Sequence, residues 1–142
     1  RAAGIAPASL TEMATRSDVV SLHAPGDARL VDRDWLSMVK PSLILVNTAR
    51  AILVDELAVA EALAADRLQL YATDTLSAES GTDSRLLDPQ LTDRTIFTPH
   101  SAAHTVEAVD KMSGGAVAAV LAMLSGDTPT EVVRPGPSKE IG

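Results

Sequence analysis

Residues Leu43–Ala65 read LILVNTARAILVDELAVAEALAA, and this stretch decides how the rest of the chain is understood. Leu43–Val46 is a short aliphatic run without polar alternation, the pattern of a strand buried in a parallel sheet, although a buried helical piece can look the same. Asp55–Ala65 holds good helix formers, with Leu57, Ala60, Leu63 and Ala64 on one stripe and Asp55 placed to cap the first turn. A strand followed by a capped helix is half of a βαβ unit.

Working outward, the same alternation repeats. Asp18–Leu22, Leu70–Thr73 and Thr95–Thr98 are three more short apolar runs. Asp32–Val39 is a helix candidate that stops before Lys40-Pro41, where proline discourages continuation. Leu10–Thr15 is another, opened by Ser9 and Glu12 at capping-box spacing. Thr105–Leu124 reads as one long helix, weakened at Gly114-Gly115, where close helix packing is expected. From Asp127 the tail carries Pro129, Pro135, Gly136 and Pro137 and reads as extended or disordered. The order is α-β-α-β-α-β-loop-β-α. It predicts an α/β fold with a parallel sheet in residues 1–126, followed by a tail over 127–142.

Composition narrows the function. The 142 residues are 46% hydrophobic, enough for one core built on Ala, Val, Leu and Ile, since Trp35, Tyr71 and Phe97 are the whole aromatic complement. With no cysteine, thiolate catalysis, disulfides and cysteine-based zinc sites are excluded. A net charge of −7 without a basic cluster argues against nucleic acid. No apolar run reaches the roughly 20 residues of a membrane helix. No metal set is expected of His23, His100 and His104. The chain opens on Arg1, and a longer product is expected.

Each apolar run is followed closely by a conspicuous polar residue: His23, Asn47, Asp74 and His100, at spacings of 24, 27 and 26. If the strands are parallel, all four emerge at one sheet edge, where ligands of open α/β sheets bind. Asn47, Arg50, Asp74 and His100 are therefore expected along one crevice.

These residues also carry a resemblance. Ser17–Pro25 (SDVVSLHAP), Lys40–Arg50 (KPSLILVNTAR) followed by Leu53–Glu56 (LVDE), and Thr98–Ala103 (TPHSAA) resemble, in order and spacing, motifs of the D-isomer-specific 2-hydroxyacid dehydrogenases, a phosphoglycerate dehydrogenase-like family. The resemblance runs from about Leu10 to Arg134. It implies the second half of a doubly wound, Rossmann-like sheet with helices on both faces and a long C-terminal helix. The first βαβ unit with its glycine-rich loop is missing. The implied activity is hydride transfer between a nicotinamide cofactor and a 2-hydroxy or 2-keto acid.

The family's catalytic Arg falls on Arg50, its His on His100 and its acidic partner on Glu79. The surroundings of Glu79 lack the usual aromatic and proline, and Ala51 stands where the family has glycine, which would strain a positive φ. By the same resemblance His23, Ala24, Pro25, Asn47, Thr48, Ala49, Asp74, Ala102 and Ala103 line the cofactor, with Asp74 on the nicotinamide carboxamide. The cofactor is expected to be NAD; NADP stays open because the ribose reader is not in this sequence. The intact protein is expected to be a cytoplasmic homodimer, and this chain alone to be inactive. A phosphite dehydrogenase-like enzyme, suggested by Leu86–Leu91 and Phe97–His100, and a non-catalytic corepressor-like module are the alternatives.

The chemistry suits the residue types. Reducing a keto group needs a proton at oxygen, and imidazole supplies one near neutral pH. A carboxylate on the far ring nitrogen fixes the tautomer and stabilises the imidazolium. A guanidinium fork grips a carboxylate in a way lysine cannot copy.

Overall fold

The computed structural model describes residues 6–26, 28–77, 84–101 and 103–129. The chain divides into two units, Arg1–Ala102 and Ala103–Gly142.

The first unit runs α1 (Leu10–Arg16), β1 (Val19–Leu22), α2 (Arg33–Met38), β2 (Ile44–Asn47), α3 (Glu56–Ala64), β3 (Leu70–Thr73), β4 (Thr95–Phe97). The four strands form one parallel sheet in the order β1-β2-β3-β4, the Rossmann-like arrangement expected. Each helix start is closed by a side chain. Glu12 N donates to Ser9 Oγ at 3.2 Å while Ser9 N donates to Glu12 Oε2 at 2.9 Å. Trp35 N donates to Asp32 Oδ1 at 2.8 Å, and Ala58 N to Asp55 Oδ1 at 3.1 Å. Such caps satisfy amide groups that the helix itself leaves open.

Crossovers between neighbouring parallel strands are right-handed, so α2 and α3 share one face of the sheet. Burial follows. Val20, Leu22, Leu45, Asn47, Tyr71 and Thr73 are buried, whereas Val19, Ile44, Val46 and Ala72 between them are exposed or half-buried. The strands thus alternate by burial where their sequences do not alternate by polarity. Leu36, Leu43, Leu53, Val59, Leu63, Leu68 and Leu86 also belong to the core, and burying each contributes about 1.5–3 kcal/mol.

The stripe expected on α3 is rotated. Leu57 is 50% exposed and Ala64 is exposed, while Ala58, Val59, Ala60, Ala62 and Leu63 are buried. Alanine on every side leaves the apolar period almost featureless, so the direction in which Asp55 admits the chain sets the buried face instead. Asp55 N donates to Val31 O at 2.8 Å, which fixes that direction.

Between β3 and β4 two short 3₁₀ turns, Arg85–Leu87 and Pro89–Arg94, bury Leu86 and Leu91, where a loop was expected. A third, Ala51–Leu53, holds Ala51 away from positive φ, so glycine is not needed there.

The second unit contains α4 (Val106–Leu124), capped by Ala108 N donating to Thr105 Oγ1 at 3.1 Å. The helix passes through Gly114 and Gly115 unbroken. Both have open space where a Cβ would stand, so the close packing expected at them is not found among the described residues. No helix among the described residues is long and apolar enough to cross a membrane.

A candidate active site at the carboxyl edge of the sheet

Strand register sets the level of the site. Leu22 pairs with Asn47, Asn47 with Thr73, and Thr73 with Phe97. His23, Thr48, Asp74 and Thr98 therefore leave the sheet at one height, at its carboxyl edge.

The turn after β2 is closed by its own first side chain. Asn47 is fully buried. Its Nδ2 donates to Arg50 O at 2.9 Å, and Ala49 N donates to its Oδ1 at 3.1 Å. Donor and acceptor together make an Asx-type turn. The turn leaves Thr48 and Arg50 exposed and Ala49 half-buried. Arg50 Nη1 donates to Ala49 O at 2.8 Å. The stem of Arg50 lies against Gly26, which has φ +88°.

The turn after β4 is closed from a different strand. Asp74, at the end of β3, is 5% exposed. Its Oδ1 accepts from Thr98 Oγ1 and from Ser101 N, the latter at 3.1 Å. Those donors flank Pro99-His100. His100 N donates to Thr98 O at 2.9 Å, a γ-type turn centred on Pro99, whose ring holds a φ suited to it. His100 itself has φ +53° and is exposed, a left-handed conformation uncommon outside glycine. The two ends are tied together. Asp74 N donates to Asn47 O at 3.0 Å, and Thr73 Oγ1 lies 3.1 Å from the same carbonyl.

The remaining expected residues divide. His23 is exposed with Nε2 2.9 Å from Ser21 Oγ on its own strand. Ala24 is half-buried, and Pro25 and Ala103 are exposed. Glu79 and Ala102 lie outside the described residues.

Two positions escape a reading of the sequence. Glu56, the first residue of α3, accepts from Ser77 N at 2.7 Å and faces Ser84 Oγ at 3.4 Å, holding both flanks of the segment 78–83. Its place beside the capping Asp55 is the available signal. Gly26 follows the His23-Ala24-Pro25 motif directly and carries no signal beyond its residue type. Tyr71 lies buried beneath this edge. Burial pushes its phenol above the ordinary value, and Thr73 and Asn47 soften the shift without meeting hydrogen-bond geometry.

Comparison with known proteins supplies the family. The model described as "D-isomer specific 2-hydroxyacid dehydrogenase, NAD binding domain" matches residues 1–102. D-3-phosphoglycerate dehydrogenase of Mycobacterium tuberculosis is 34% identical over 136 residues, covering 94% of this chain and 25% of that protein. The chain therefore spans about a quarter of the length of such relatives. Among solved structures, the TT0316 protein of Thermus thermophilus has a TM-score of 0.80 at 34% identity, covering 89% of this chain and 41% of that one. The NAD-complexed D-isomer specific 2-hydroxyacid dehydrogenase of Lactobacillus delbrueckii has a TM-score of 0.74 at 28% identity, covering 87% and 42%. With its parallel sheet and its strand-end motifs, the chain belongs to the D-isomer specific 2-hydroxyacid dehydrogenase family, in the NAD-binding part.

Proposed function

We propose that this chain is the nicotinamide-side half of the NAD-binding domain of a longer enzyme that interconverts 2-hydroxy and 2-keto acids. The observation that carries the reading is the pinning of the His100 turn by Asp74 at the edge where Arg50 also emerges. An exposed imidazole on an anchored turn is what a proton donor at a substrate carbonyl requires.

NAD is the cofactor of the matched domain. The residues suit its nicotinamide end, a carboxamide: the buried Asp74 carboxyl accepts N–H and O–H donors, and Thr48, at the same edge of the sheet, is exposed. When bound, NAD supplies or removes the hydride. His100 gives the carbonyl oxygen its proton during reduction and takes it back during oxidation. Arg50 grips the substrate carboxylate, holding the keto carbon in place. Glu79 is assigned the far ring nitrogen of His100. No Gly-x-Gly-x-x-Gly loop occurs in these 142 residues, so the pyrophosphate must be held by other sequence, and this chain alone is expected to be inert.

The test is nicotinamide absorbance of the full-length protein against a panel of 2-keto acids and phosphite, with NADH and NADPH. Turnover of a keto acid that falls by roughly a hundredfold or more in Arg50→Lys supports the reading. Turnover of phosphite alone reassigns the substrate, and near-normal activity of Arg50→Lys removes the role of Arg50.

A further inference from the structure

Gly26 sits where the turn after β1 meets the turn after β2. A Cβ built on it would stand 2.6 Å from Arg50 Cγ and 2.7 Å from Arg50 Cβ, with Ile52 Cγ2 at 3.6 Å. The first two distances are far inside van der Waals contact. The atoms concerned are the root of the arginine side chain, not its flexible end. Relief would require either a different χ1 at Arg50 or a shift of backbone that Asn47 holds from both sides. At the same time Gly26 has φ +88°, a conformation that side chains resist. Two independent constraints, room and backbone, therefore ask for glycine at the same position.

We propose that Gly26 is a positioning residue for Arg50. Its missing side chain is the slot in which the arginine stem lies, so the β1 turn sets where the guanidinium points. The stem is confined on one side by Gly26, and Arg50 Nη1 is held by the Ala49 carbonyl at 2.8 Å. A planar fork recognises a carboxylate only from a narrow range of directions. Moving its root by the order of 1 Å that a Cβ demands spoils that match without removing the charge. The inference rests on the carboxylate-binding role proposed for Arg50.

The test uses the full-length dehydrogenase carrying Gly26→Ala, Gly26→Asn, Arg50→Ala and the double variant Gly26→Ala/Arg50→Ala. Asparagine tolerates positive φ yet still brings a Cβ, so it separates crowding from backbone strain. Folding is followed by circular dichroism and NAD affinity by calorimetry. Expected is a loss of roughly a hundredfold in kcat/KM for the keto acid in both glycine variants, mostly through KM, with NAD affinity within about twofold. In the Arg50→Ala background, Gly26→Ala should cost less than about twofold more, because the group it positions is gone. Near-normal kcat/KM in a folded Gly26→Asn variant overturns the proposal. So does a double variant whose losses multiply, since Gly26 would then act independently of Arg50. Full activity of Arg50→Ala instead overturns the role of Arg50 and leaves the glycine variants to report a purely structural effect.

Discussion

The turns after β2 and β4 do the same thing by opposite means. Each carries an exposed basic side chain, Arg50 or His100, off the carboxyl edge of the sheet. The β2 turn is closed within four residues, by Asn47 bonding Ala49 and Arg50. The β4 turn is closed by Asp74, which is 24 residues from Thr98 and 27 from Ser101. A locally closed turn keeps its shape so long as its own residues do. One closed from a neighbouring strand keeps its shape only while the sheet does. His100 is therefore the more fragile of the two placements.

The largest effect that would break this contrast is expected at Asp74. Asp74→Ala removes a buried carboxyl group that accepts from both flanks of the His100 turn, leaving Thr98 Oγ1 and Ser101 N without that acceptor. A loss of about 3 kcal/mol is expected in denaturant unfolding, with much faster hydrogen exchange at the Ser101 amide. Asp74→Asn can keep the accepting oxygen and should recover more than half of that. Equal losses in both variants would mean that charge, not the hydrogen bonds, holds the turn.

Asn47→Ala is expected to cost about 2 kcal/mol, since it empties the buried Asn47 site and strips the part-buried Ala49 amide and Arg50 carbonyl of their partner. Its reach should be short. Ser101 exchange should stay slow, because the backbone carbonyl of residue 47 still receives Asp74 N. If Ser101 loosens as much as in Asp74→Ala, the two turns form one cooperative unit and the contrast fails.

The same distinction governs what the sequence discloses. The apolar runs of β1 to β4 and the caps at Ser9 and Asp55 are readable from residue order, the caps because each side chain bonds within three residues. The family motifs likewise assign Arg50, Asp74 and His100 to strand ends. Contacts between distant residues stay hidden. No spacing announces that Asp74 anchors Ser101, that Glu56 faces Ser77 and Ser84, or that Gly26 lies on Arg50. The buried face of α3 departs from the expected stripe for a related reason, because small residues all round give a helix no preferred side until its neighbours choose one.

Glu56 gives a smaller effect. Glu56→Gln keeps one acceptor for Ser77 N but weakens the pair as a whole. A loss under about 1 kcal/mol is expected, because Glu56 is only half-buried and water can replace part of what it provides. A loss as large as that of Asn47→Ala would show a distant clamp to be as strong as a local turn.

The smallest effect at neutral pH, and the one that tests the floor beneath both turns, belongs to Tyr71. The side chain is fully buried, and its hydroxyl meets no hydrogen-bond partner among the described residues. Burial raises its pKa above the usual phenol value of about 10. The folded state then holds its proton to higher pH than the unfolded chain does. The stability tied to the neutral phenol is complete below about pH 10 and is lost as pH rises through the folded pKa. Tyr71→Phe has nothing to titrate there. Its Tm at pH 7 should match the parent or exceed it slightly, since a buried hydroxyl without a partner is removed. Above about pH 10 the parent should lose stability faster than the variant, with Tm measured across the series. Parallel alkaline slopes would mean that water reaches the hydroxyl, so that the floor under Asn47 and Thr73 is wet. The β2 turn would then owe its persistence to the Asn47 hydrogen bonds alone, with no help from the dry core below.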